Sequence, residues 1–158
     1  MPEPRVSNWA STERIPAEIS LAEQVVIHGD LHVQPRVAQH DGAETPLEML
    51  NRPDAFFPIS LATGEISFVA KAQVAVVTCG PFSSLQDPER SEAVKTIGLV
   101  VRMAGGAEFS GRAELELPPT RARALDYLNA AGAFFALRSE AALRFINRTH
   151  VRVVRPID

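Results

Sequence analysis

Pro46-Leu47-Glu48-Met49-Leu50-Asn51, then Phe56-Phe57, then Phe68-Val69-Ala70-Lys71 leading into Val74-Ala75-Val76-Val77, is a pattern this chain carries twice. The second copy reads Leu125-Asp126-Tyr127-Leu128-Asn129, Phe134-Phe135, and Phe145-Ile146-Asn147-Arg148 leading into Val151-Arg152-Val153-Val154. The copies keep an offset of 78 up to Ile59 and Leu137, and of 77 from Ile66 and Leu143 onward. The missing residue falls in a strand-strand turn, where a deletion is tolerated most easily. Matched pairs such as Leu50/Leu128, Asn51/Asn129, Phe56/Phe134, Phe68/Phe145, Lys71/Arg148 and Val74/Val151 mark an internal duplication.

Local chemistry turns the pattern into elements. Thr45 caps a helix, Pro46 suits its first position and Glu48 completes a capping box. Asn51 is expected to end that helix in a left-handed conformation before Pro53. Phe56–Leu61, Ile66–Val69 and Val74–Cys79 read as strands, with a tight one-turn connection at 70–73. Upstream, Ile19–Val33 reads as one strand by its alternation, with Gly29-Asp30 as a turn or bulge. In the second half Ile97–Met103 and Glu108–Leu117 flank the turn Ala104-Gly105-Gly106-Ala107. Leu125–Asn129, Phe134–Leu137, Leu143–Ile146 and Val151–Val154 then repeat the helix and the three strands. The expected fold is mainly β: two tandem small antiparallel β-barrel-like units, each with one short helix. Residues 1–16 read as a flexible tail holding Trp9, 17–79 as the first repeat, 80–95 as a linker and 96–158 as the second repeat. Each half is below the ~100 residues of an ordinary domain, so the halves are expected to pack together or dimerise and so cover apolar edges.

The 158 residues are 46% hydrophobic, enough for a core. No apolar run approaches the ~20 residues of a membrane span, and the N-terminus lacks a signal-peptide pattern. A single cysteine, Cys79, excludes an internal disulfide and suits a reducing compartment, so the expected location is the cytoplasm. The net charge of −3 is unevenly held: residues 1–95 carry seven Lys and Arg against thirteen Asp and Glu, residues 96–158 nine against six. An acidic first half and a basic second half can attract each other within or between chains.

The second half resembles a small Sm-like or SH3-like β-barrel, and Val100–Gly111 is similar to the opening strand, glycine turn and bent second strand of Sm-like proteins. Asp126-Tyr127-Leu128-Asn129 is similar to the Asp-x-x-Met-Asn segment of Sm-like proteins, one residue shorter. Phe145–Pro156 resembles their closing hairpin, with Asn147-Arg148 standing where the family has Arg-Gly. The Leu-Asn…Phe-Phe-x-Leu pattern is also similar to that of bacterial proteins with no assigned activity. The Sm-like resemblance implies a small barrel and, as an alternative function, RNA binding.

Two constellations bear on chemistry. Arg144, Arg148, His150 and Arg152 share one parity of the last hairpin and form a candidate basic stripe, suited to phosphate or carboxylate through the guanidinium fork. His28, Asp30 and His32 share a strand face, but alternate residues lie roughly 7 Å apart, so one flat strand cannot bring all three to a zinc ion. His28 and His32 remain the candidate ligand pair, and no metal or other cofactor is expected. Cys79 ends an apolar strand and reads as a small core residue. No phosphate loop, nucleophile elbow, CxxC or His-Glu-x-x-His is present. The expected function is a non-enzymatic cytoplasmic protein-interaction or regulatory module, with a protein partner or self-association and no membrane.

Overall fold

A computed structural model describes residues 12–35, 44–80, 95–115, 124–130 and 132–157. Among these residues ten strands form one antiparallel sheet. They are β1 (Glu13–Leu21), β2 (Val26–Val33), β3 (Phe56–Ser60), β4 (Ile66–Ala70), β5 (Val74–Cys79), β6 (Lys95–Met103), β7 (Glu108–Leu115), β8 (Phe134–Arg138), β9 (Leu143–Asn147) and β10 (Val151–Pro156). Helices α1 (Pro46–Asn51) and α2 (Ala124–Leu128) precede β3 and β8. The order across the sheet is β10-β6-β7-β8-β9-β5-β1-β2-β3-β4. Each half therefore runs fifth, first, second, third, fourth, and the halves meet where β5 pairs with β9. The two halves share one continuous, open sheet rather than forming two separate ones.

The duplication extends through the leading strands, which the sequence match left out. β1–β2 and β6–β7 correspond at an offset of 82, so Gly29 is the counterpart of Gly111. Both lie where the second strand crosses the third: an added Cβ would stand 2.8 Å from the Ser60 carbonyl oxygen at Gly29 and 2.6 Å from that of Arg138 at Gly111. Glycine is what allows that approach. Each fifth strand also bulges against its first strand at the same place: the register slips at Ser20/Leu21 opposite β5 and between Val151 and Val153 in β10.

Ile19–Val33, expected as one strand, is a hairpin. It turns at Ala22–Gln24, with Leu21 N–H donating to the Val25 carbonyl at 2.7 Å. Glu23 (φ 62°) and Gln24 (φ 66°) take the left-handed conformation there, as Gly106 (φ 103°) does in the second hairpin. β1 begins at Glu13, so the last four residues of the stretch read as a tail are strand. Trp9 and most of the linker lie outside the described residues.

Helix α1 forms as its capping box dictates: Glu48 N–H donates to Thr45 Oγ1 at 3.1 Å, and Glu48 Oε1 accepts from Thr45 N–H at 2.8 Å. It buries Met49 and Leu50. Asn51 is helical and not left-handed, and Arg52, in extended backbone, ends the helix. One core cluster gathers Ile19, Leu31, Ile59, Val69 and Val77 from all five strands of the first half. The other gathers Leu99, Val101, Ala113, Phe135, Leu137 and Ile146 from the second.

Candidate functional site

The joint between the halves is the most informative surface. Its register pairs Val76 with Ile146, Val77 with Phe145, Thr78 with Arg144 and Cys79 with Leu143. Ladder pairing is supplemented by side chains that cross it. The Asn51 amide grips the backbone of Phe134 at both ends, its Oδ1 accepting from Phe134 N–H at 2.8 Å and its Nδ2 donating to the Phe134 carbonyl at 3.2 Å. Buried Asn147 donates through Nδ2 to the carbonyls of Lys71 and Val74, at 3.2 and 2.9 Å. Two second-half phenylalanines, Phe134 and Phe145, lie in the first half's core, each at most 1% exposed. Burying a side chain of this size contributes about 1.5–3 kcal/mol.

Behind each fifth strand a cation holds the short helix. Lys71 Nζ donates to the carbonyls of Met49 (3.2 Å) and Arg52 (2.9 Å). Its counterpart Arg148 donates to the carbonyls of Leu128 (2.9 Å), Tyr127 (3.0 Å), Gly132 (2.6 Å) and Phe134 (3.1 Å), with its guanidinium 5.3 Å from the centre of the Phe135 ring. Apart from that of Phe134, which opens β8, these carbonyls belong to helix ends and the turn beyond, where backbone acceptors need outside donors. Burial pushes the Lys71 ammonium below its ordinary range, against the raising field of Asp54, and pushes Arg148 down as well, against Tyr127.

The four stripe residues have different partners, and Phe109, Ala104 and His150 line one cavity. Arg144 lies 4.8 Å from the centre of the Phe109 ring. Arg148 is the pin just described. The His150 ring nitrogen Nε2 donates to the Ala72 carbonyl at 2.8 Å, across the joint. Arg152 donates to the Ala104 carbonyl at 2.7 Å from an exposed position. The two candidate metal ligands do not converge. His32 is 3% exposed, with Nδ1 2.6 Å from Thr12 Oγ1 and Nε2 2.8 Å from Ser60 Oγ. His28 is exposed and lines an open groove with Glu18 and Asp30. Among the described residues no group of three or more His, Cys, Asp or Glu side chains is placed to hold a metal ion. Cys79 is buried, as a core residue.

What sequence reasoning missed is the contrast between the inner joint and the outer edges of the sheet, β4 and β10. β4 is the counterpart of β9, and β10 of β5. Phe145 is 0% exposed while its counterpart Phe68 is 61%; Phe134 is 1% while Phe56 is 58%; Val76 is 1% while Val153 is 55%. The repeat alignment held this signal, but repetition alone does not tell which copy is covered. No helix among the described residues is long and apolar enough to cross a membrane. No family model, curated protein or solved structure matches the chain.

Proposed function

We propose that the chain is a non-enzymatic interaction module of the cytoplasm that recruits a protein partner by adding strands to its sheet edges. Each half serves as a small barrel-like unit, five antiparallel strands wrapped on one apolar cluster. One observation carries the reading: at one end of the sheet β3 and β4 present Phe56 and Phe68, and at the other β10 presents Val153, at 55–61% exposure, where their counterparts inside the sheet are buried. A strand edge supplies ladder hydrogen bonds to an incoming chain, and alternate side chains supply specificity. Large apolar side chains clustered at an edge are a hazard unless something covers them.

The alternative is an RNA-binding role for the basic stripe. It would require Arg148 to leave four backbone carbonyls, and it has less support. Affinity capture from a lysate of the source organism tests the leading reading. A partner held by the wild-type protein and lost from the Phe68→Arg, Val153→Arg variant is expected. Equal retention by both proteins, or none by either, sinks it.

A further inference from the structure

We infer that the partner is a second copy of this chain, joined head to tail, with β10 of one copy against β4 of the next in the register already used between β5 and β9. The inference rests on the edge-recruitment reading and names its occupant.

The chain contains its own template. Transposing the inner register by the repeat offsets pairs Val153 with Val69, Val154 with Phe68, Arg155 with Ser67 and Pro156 with Ile66. The inner joint sets a threonine, Thr78, against an arginine, Arg144. The outer joint sets Arg155 against Ser67, so the arginine and the hydroxyl exchange strands and no two arginines meet.

Core completion points the same way. The first half's cluster is filled by Phe134 and Phe145, reaching in from the second half. Among the described residues the second half's cluster takes Val76 and Ala75 from the first half but no pair of phenylalanines, although Val154 packs against it from β10. The counterparts of those two rings, Phe56 and Phe68, stand exposed at β3 and β4, at the far end of the ten-stranded sheet. In the sheet order a chain cannot bring them to its own second cluster, because eight strands separate β4 from β10. The next copy can. Exposed Asn129, counterpart of Asn51, then faces the backbone of Phe56 as Asn51 faces that of Phe134.

Charge does not oppose the joint: β10 brings Arg152 and Arg155, and β4 carries no charged residue to repel them. Ala70 in place of Asn147 leaves the outer joint without that inner crosslink, a difference consistent with a joint that forms after folding. A head-to-tail joint leaves one edge open at each end until it closes, so closure into a ring gives a fixed mass.

Cysteine trapping tests the register on the full chain. Residues directly opposite in an antiparallel pair have Cα atoms about 4.5–5.5 Å apart, within disulfide range. Ser67→Cys with Arg155→Cys is the matched pair; Ser67→Cys with Val153→Cys, two residues along β10, is the shifted control. Native Cys79 is 1% exposed and stays out of the reaction. Under mild oxidation the matched variant should give covalent multiples of the 17.2 kDa chain, about tenfold more than the control. Equal yields from the two pairs overturn the inference. So does a chain that stays single, by crosslinking and by light scattering alike. If, in that case, the wild-type protein still captures a different partner that Phe68→Arg, Val153→Arg loses, the broader interaction reading stands without the second copy.

Discussion

Replacing Arg148 by methionine separates a structural pin from an anion-binding residue. The substitution keeps much of the stem and removes the donors to Leu128, Tyr127, Gly132 and Phe134, at 2.6–3.1 Å. A hydrogen bond to a charged group contributes about 1.5–3 kcal/mol. The four do not add in full, because the guanidinium is only half-buried and Phe134 keeps Asn51 as a donor to its carbonyl. A loss of about 3 kcal/mol is expected. At roughly 2–4 °C per kcal/mol for a chain of this size, that lowers Tm by about 6–12 °C. The assay is urea and thermal unfolding by circular dichroism at fixed protein concentration, since association shifts apparent stability. Lys71→Met, which removes donors to two carbonyls, should cost less, about 2 kcal/mol. A loss below ~0.5 kcal/mol for Arg148→Met, the usual range of a surface substitution, refutes the pin.

Gly111→Ala drives a Cβ to 2.6 Å from the Arg138 carbonyl oxygen and 2.9 Å from Leu137 Cγ, and should lower stability by about 2 kcal/mol in urea melts. Gly105→Ala, with nothing within 4 Å, should leave the melt nearly unchanged. Glu23→Gly with Gln24→Gly relieves two left-handed non-glycine residues and should raise stability by about 1 kcal/mol. Lys71 has a lowered folded pKa, so between that value and 10.5 the unfolded chain binds more protons and stability rises with pH. Comparing the alkaline stability profiles of wild type and Lys71→Met should show this rise in the wild type alone.

Much of the fold was legible because its signals are local or repeated. The capping box at Thr45–Glu48, the turn after β4 and the paired Phe-Phe strands need only neighbouring residues to read. The first hairpin was not legible, since Glu23 and Gln24 occupy a turn that announces itself only when glycine fills it, as Gly105-Gly106 does. Asn51 was read as a helix stop because its partner, Phe134, lies 83 residues away. The partners of the basic stripe were hidden in the same way. Parity along β9 and β10 aligned Arg144, Arg148, His150 and Arg152, but their carbonyl and ring partners are set by tertiary packing. Joining the halves through β5 and β9 depended on which edges find each other, and alternation within a strand carries no such information.

Mixing two blocked chains decides whether copies of the chain join head to tail. Phe68→Arg spoils the β4 edge and spares β10; Val153→Arg spoils β10 and spares β4. Light scattering should give the wild-type protein a fixed multiple of 17.2 kDa and each variant alone a single chain. Mixed in equal amounts, the two variants should form a one-to-one heterodimer through their intact edges. If the mixture stays monomeric, or either variant alone keeps the wild-type mass, the joint is not the one drawn from β5 and β9.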